Sequence, residues 1–207
     1  MRLLESRFPA ALFVVGLVVL GYAAVDQAGF RQWVVVLYLL WVLAELRVTF
    51  QPNPGETGGA DRGSLQLYGL SRAAVVITAL LVPVDWSSPV VPWPAAALVI
   101  MLAGIALRLT AIVQLGRYYS HKVRTLPDHQ VVQTGVYGMV RHPAYLGMIV
   151  AHAGFVAFFA NPASVAALIL LVVAIVRRVL VEEQTLMHVP GYRRYAAGHA
   201  RLLPAVW

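Results

Sequence analysis

Not one of the 207 residues is a cysteine, which excludes disulfides, thiolate metal sites and cysteine nucleophiles at once. Charge is nearly as scarce: only 12% of residues are Asp, Glu, Lys or Arg, about half the share a soluble domain carries. The sequence has no HxxxH or HExxH spacing, and its 9 acidic residues are scattered, so no metal site is expected. No internal repeat is evident.

What fills the chain instead is apolar. Hydrophobic residues make up 60% of it and the mean hydropathy is +0.74. They fall in runs of about 15 to 20, long enough to cross a bilayer as helices. An integral membrane protein follows. The formal charge of +7 is not gathered into a groove-binding patch, so no nucleic-acid partner is expected. The first apolar run follows Arg2 and Arg7 as in a signal peptide, but the runs after it favour a retained first span.

The fold class expected is all-α, a polytopic transmembrane helical bundle. Six spans can be drawn, near 8–25, 32–50, 67–84, 93–115, 144–160 and 163–182. The short "FANPAS" turn (Phe159–Ser164) makes the last two an antiparallel helical hairpin. Basic residues then orient the drawing, because cytoplasmic segments hold the excess. With the N-terminus inside, the outer loops hold only Arg31, and Arg108 lies within a span. Both termini are therefore expected in the cytoplasm. Trp86 and Trp93, in the outer "DWSSPVVPWP" connection, suit the headgroup interface. The segment from Met187 to Trp207 reads as a basic amphipathic tail at the membrane surface.

Charges sit where a bilayer disfavours them. In "ASVAALILLVVAIVRRVLVEEQTL" only 14 residues, all apolar but Ser164, precede Arg177. They cover about 21 Å at about 1.5 Å per residue, against a hydrocarbon core of about 30 Å. "RRVLVEE" must lie at the inner edge of the hydrocarbon or line a polar cavity there. Arg178 and Glu182, at i and i+4, share a face and can pair, whereas Glu183 is turned about 100° away. Arg108 reaches a depth similar to Arg178, and Glu45 is a possible partner for either. The competing reading is an interfacial salt bridge with snorkelling arginines. His152, in mid-span, reads as a packing residue.

Three signals converge on the inner face: an aromatic and histidine-rich loop ending in "RHPAYLG", the "RRVLVEE" end of the sixth span, and the "PGYRRY" tail. Together they resemble the isoprenylcysteine carboxyl methyltransferase family and are similar to the related membrane phospholipid methyltransferases. The resemblance is carried by Ser120, His121 and Val123; by Gly135-Val136-Tyr137; and by Arg141-His142-Pro143-Ala144-Tyr145-Leu146-Gly147. It continues through Asn161-Pro162, Arg178, Glu182-Glu183, Gly191-Tyr192, Tyr195 and Leu203-Pro204. It covers roughly residues 95–207; the first three spans are only generically hydrophobic.

The resemblance implies an integral membrane O-methyltransferase using S-adenosyl-L-methionine. Its acceptor would be a carboxylate or hydroxyl on a lipophilic small molecule or lipidated substrate. Residues 1–92 would be N-terminal transmembrane helices. Residues 93–207 would be the catalytic core, with span four, a cofactor loop at 116–143, the hairpin at 144–182 and the tail. Arg141 and His142 would supply donors to the cofactor's carboxylate. Tyr137, Tyr145, Val136 and Leu146 would hold its adenine, with His121 and Val123 also on the cofactor side. Pro143 suits the start of a helix, whose free amides favour that carboxylate. Glu183 would serve the cofactor side or hold the loop. Arg178 and Glu182 would be catalytic, Arg178 orienting the acceptor oxygens. Glu182 would fix that arginine, or act as base for a phenol. A glycine-rich dinucleotide loop is absent, so a soluble Rossmann methyltransferase does not compete.

Two other readings are an NADPH-dependent membrane reductase and a small transporter without enzymatic activity. The second would string polar residues across the whole bilayer, whereas here they gather at its inner edge. Alanine and valine richness points to a bacterial inner membrane, with the active site on its cytoplasmic face. Oligomeric state carries no signal.

Overall fold

The computed structural model describes residues 2–49, 57–58, 63–82, 93–120, 124–125, 128–204 and 207. Six long helices follow one another: α1 (Arg2–Asp26), α2 (Phe30–Thr49), α3 (Ser64–Leu81), α4 (Trp93–Leu115), α5 (Pro143–Phe158) and α6 (Pro162–Leu186). A short α7 (Tyr192–Gly198) comes last. The two-residue strands β1 (Thr57–Gly58) and β2 (Arg124–Thr125) pair antiparallel. The all-helical fold expected from the apolar runs is what forms. Three helices clearly overrun the drawn spans: α1 begins at Arg2, α3 begins at Ser64, and α6 carries the whole of "RRVLVEE" to Leu186.

Among the described residues, three helical stretches are long and apolar enough to cross a membrane unaided: Ser64–Leu81, Pro94–Tyr118 and Pro162–Leu186. At 16 residues α5 is shorter; it spans about 24 Å, less than the hydrocarbon thickness of about 30 Å. Its first turn is met by polar side chains: Arg108 Nη1 donates to the Ala144 carbonyl at 3.1 Å, and the Tyr145 hydroxyl donates to Glu182 at 2.8 Å.

The α5–α6 turn is built by local chemistry. Asn161 caps α6, accepting from the Ser164 amide at 2.8 Å, while Ser164 Oγ accepts from the Asn161 amide at 3.1 Å. This reciprocal cap, with Pro162 opening the helix, needs no help from distant residues. Asn161 Nδ2 then donates to the Thr78 carbonyl at 2.9 Å and ties the turn to the end of α3. The α1–α2 connection meets it at the same end: Phe30 stands edge-on to Phe158, and Arg31 lies over Phe159.

One apolar core joins α1 to α6, with Leu20, Val34, Val75, Met101, Phe155, Leu171 and Ile175 all buried in it. Val18, Val25, Val99, Val113, Ile169 and Val173 point outward, a surface suited to lipid. The tightest seam is α4 on α5. A Cβ on Gly104 would lie 2.2 Å from the Ala151 amide nitrogen, and one on Gly154 2.3 Å from that of Met101. A Cβ on Gly147 would lie 2.6 Å from the Arg108 nitrogen. Backbone meets backbone here, as small residues permit in membranes. The seam therefore fixes the height of Arg108 against the start of α5.

Candidate active site

Where α4 and α6 end, the chain after α4, the first turn of α5 and α7 enclose a cavity of about 810 Å³, open mouth included. Arg108 and Ala144 are among its lining residues, together with six tyrosines: Tyr118, Tyr119, Tyr137, Tyr145, Tyr192 and Tyr195. At the mouth Arg117 pairs with Asp128 at 2.5 Å, and the Tyr118 and His129 rings pack 4.8 Å apart.

The wall is assembled by hydrogen bonds from several elements. A 3-10 turn at Gly135–Gly138 is pinned to α4 twice. The Val136 amide donates to Gln114 Oε1 at 3.0 Å, and the Tyr137 hydroxyl donates to the Ala111 carbonyl at 3.2 Å. Gly135 adopts φ +59°, a left-handed conformation that favours glycine, and a Cβ there would strike Gln114. From α7, the Tyr195 hydroxyl donates to the Tyr137 carbonyl at 2.6 Å and reaches that of Val140 at 3.3 Å. The amides of Arg141 and His142 donate to the carbonyls of Ala200 and Arg201. The tail thus folds back along the "RHP" segment and closes the wall.

Glu183 is the polar hub of that wall. Arg141 Nη1 lies 2.8 Å from Oε1, His142 Nε2 donates to the same oxygen at 3.1 Å, and Arg201 Nε donates to Oε2 at 2.8 Å. Glu182, one residue earlier, lines the cavity and accepts from the Tyr145 hydroxyl at 2.8 Å. Burial pushes the Tyr195 hydroxyl up to about 12, although Arg141 pulls the other way. Burial also raises Tyr119, Tyr137 and Tyr192, so these tyrosines stay protonated donors at ordinary pH.

Of the residues singled out in the sequence, Tyr137, Arg141, His142, Tyr145 and Glu182 line the cavity. Val136, Pro143, Leu146, Arg178 and Glu183 are not among its lining residues. Pro143 opens α5 directly after His142, and Val136 packs under Tyr137 with Ala111 and Ala144. Arg178 is buried, and its Nη1 donates to Ser64 Oγ on α3 at 3.1 Å. His121 and Val123 lie outside the described residues. His152 is buried, its Nε2 2.8 Å from the Tyr38 hydroxyl and its Nδ1 2.8 Å from the Met148 carbonyl, as a packing residue should be.

Sequence reasoning missed Tyr118 and Tyr119 at the end of α4, and it gave Tyr192 and Tyr195 no role. The "GRYY" and "GYRRY" clusters of aromatic and basic residues beside apolar spans were the available signal. Tyr195→Phe removes the hydroxyl that bridges α7 to the 3-10 turn. It should cost about 1–3 kcal/mol, since two buried carbonyls lose their donor. Ligand affinity should weaken several-fold, as titration would show; unchanged affinity would mean that α7 does not hold the wall.

An all-helical integral membrane protein with a polar, tyrosine-lined cavity at one end of its bundle is the class defined by this fold and site. Residues 97–188, somewhat under half of the chain, match the isoprenylcysteine carboxyl methyltransferase family. A protein-S-isoprenylcysteine O-methyltransferase A of Arabidopsis thaliana is 32% identical over 114 residues, 53% of this chain and 58% of that protein. The B form from the same plant is 38% identical over 69 residues, 32% of this chain and 35% of that protein. The chain thus spans from about a third to somewhat over half of these curated relatives. The solved structure of a eukaryotic intramembrane Ras methyltransferase, an isoprenylcysteine carboxyl methyltransferase, superposes with a TM-score of 0.55 at 21% identity. It covers 96% of this chain and 74% of its own, and shows a shared fold.

Proposed function

We propose that this protein is an S-adenosyl-L-methionine-dependent O-methyltransferase. Its acceptor would be a lipophilic small molecule or a lipidated substrate, modified on a carboxylate or hydroxyl. One observation carries the reading: sixteen of the eighteen cavity-lining residues fall within the family-matched segment 97–188, and Tyr192 and Tyr195 are the other two. The relatives are protein-S-isoprenylcysteine O-methyltransferases by name.

The residues present fit that cofactor. Arg141 Nε and the Tyr192 hydroxyl are buried without a hydrogen-bond partner, and both residues line the cavity. Orphaned donors of this kind cost free energy unless a ligand or water meets them. A ligand rich in carboxylate and hydroxyl oxygens suits them. Arg141 and His142 would hold its carboxylate, and Tyr137 and Tyr145 would flank its adenine. The cofactor, when bound, supplies an electrophilic methyl group on a sulfonium. Excluding water and fixing the angle of approach are the chain's contributions. A carboxylate acceptor is ionised at neutral pH and needs no base, while a phenol must lose a proton. Glu182, held by Tyr145, is the lining carboxylate able to take it. Arg178, four residues before Glu182 on α6 and set back from the lining with Nη1 on Ser64, would turn to orient the acceptor oxygens when the acceptor binds.

The bundle would sit in a bacterial cytoplasmic membrane with both termini and the cavity on the cytoplasmic side. Supporting this, Arg117, Arg141 and Arg201 gather at the cavity end, while Arg31 stands at the end of the hairpin turn. S-adenosylhomocysteine titrated into detergent-purified protein should bind at micromolar concentration. Arg178→Ala should leave that affinity within a few fold while methyl transfer is lost. A folded, monodisperse sample that binds none would refute the reading.

A further inference from the structure

We propose that Glu45 on α2, outside the family-matched segment, is a positioning residue for methyl transfer, holding Arg108 so that its guanidinium and the Tyr119 hydroxyl form the deep polar wall of the cavity. The proposal rests on the methyltransferase reading above.

Arg108 and Glu45 are 1% and 2% exposed. Arg108 Nε donates to Glu45 Oε1, and Nη2 donates to Oε2 at 3.1 Å, so the two groups meet as a fork. Nη1 donates to the Ala144 carbonyl at 3.1 Å, and Nη2 also donates to the Tyr119 hydroxyl at 3.0 Å. Three separate parts of the chain therefore fix this one planar group: α2, the first turn of α5, and the chain just after α4. A guanidinium has five N–H donors. These bonds leave one on Nη1, beside the Tyr119 hydroxyl that accepts from Nη2. Both side chains line the cavity.

Depth indicates what they face. Arg108 lies seven residues before the end of α4 at Leu115, about 10 Å further along the helix. A water-soluble cofactor enters at the Tyr118 and His129 end, and a membrane-dissolved acceptor meets it deeper. Arg72, which is not a lining residue, also stands 3.4 Å from that carboxylate, so two guanidinium groups share Glu45. Donors and positive charge there suit an acceptor oxygen.

Stability does not account for the pair. Replacing a buried ion pair with apolar residues is often neutral or stabilising, and charges inside a membrane are costly. What the pair provides is one orientation of one guanidinium. Glu45 is needed because a lone Arg108 could turn toward the aqueous mouth.

The test measures transfer of labelled methyl from S-adenosylmethionine into membranes of the source organism, with S-adenosylhomocysteine affinity determined alongside. Glu45→Gln should lower kcat by about 30-fold or more, leaving the KM for S-adenosylmethionine and S-adenosylhomocysteine affinity within threefold. Glu45→Asp, which keeps the charge, should recover part of that kcat. Should Glu45→Gln fail to fold, the double variant Glu45→Leu with Arg108→Met removes both charges, and Arg72, whose side chain is 16% exposed, can reach water. That variant should fold, bind S-adenosylhomocysteine and transfer almost no methyl. Turnover within threefold of wild type in either variant overturns the proposal, as does a parallel fall of affinity and turnover. Wild-type protein that binds no S-adenosylhomocysteine refutes the methyltransferase reading before Glu45 is changed.

Discussion

The Gly147→Leu substitution is expected to break the bundle at its tightest seam. The atoms nearest a Cβ at this position are the Arg108 nitrogen at 2.6 Å and the Gly104 carbonyl oxygen at 2.7 Å. Both belong to helix backbone, so no side chain can turn away; α4 and α5 must move apart. Overpacking usually costs about 1–3 kcal/mol, and a rigid seam places this case at the upper end or beyond. At about 2–4 °C per kcal/mol for a chain of this size, a 3 kcal/mol loss lowers the unfolding midpoint by about 6–12 °C. Gly16→Leu on α1 is the control, since nothing lies within 4 Å of a Cβ there, and its midpoint should hardly change. Gly147→Ala should be milder in stability yet still harm function, because the first atom displaced belongs to Arg108. A Gly147→Leu protein as stable as wild type would show that the helices do not approach this closely.

Reading the sequence found what depends on neighbours along the chain. Apolar runs located α4 at 93–115, and Asn161-Pro162 located the turn, because a capping box and a first-turn proline act within a few residues. Contacts made across the bundle were less legible. Glu45 could be placed as a partner for Arg108 or Arg178 but not assigned, because helical periodicity reports a face and not the neighbour it meets; the structure seats it against Arg108 and Arg72. Gly147 belonged to the motif that carries the resemblance, but the packing role of Gly147 and Gly154 comes only from the facing Gly104, Arg108 and Met101. Tyr195 was named in the resemblance but given no role, because its hydroxyl serves the backbone of residues 137 and 140, more than fifty positions away. The end of α6 was drawn short at 182 because charges read as a boundary, when they are interior helix residues facing a polar wall.

Adjacent carboxylates at the end of α6 should respond to mutation in opposite ways. Glu183 is nearly buried and answers three donors at once: Arg141 and Arg201 at 2.8 Å and His142 at 3.1 Å. Glu183→Ala leaves Arg141 and His142 in a wall with no counter-charge, and breaking a buried pair from one side costs about 3–5 kcal/mol. Arg201, 28% exposed, can turn to water and adds less. Because Arg141 and His142 are also the proposed donors to the cofactor carboxylate, S-adenosylhomocysteine affinity should fall by about 100-fold together with the unfolding midpoint, a drop of about 2.8 kcal/mol. Glu183→Gln keeps one oxygen for these donors and should fall between. Glu182 faces the cavity instead, with Tyr145 as its hydrogen-bond donor. Glu182→Gln retains an acceptor for that hydroxyl, so stability and cofactor affinity should stay near wild type while methyl transfer drops. The drop should be larger for a phenol, which needs a base, than for a carboxylate, which does not. If Glu183→Ala kept its affinity and Glu182→Gln lost it, the two residues would have to exchange roles, and the cofactor would lie on the Glu182 side of the cavity without help from the wall that Glu183 holds.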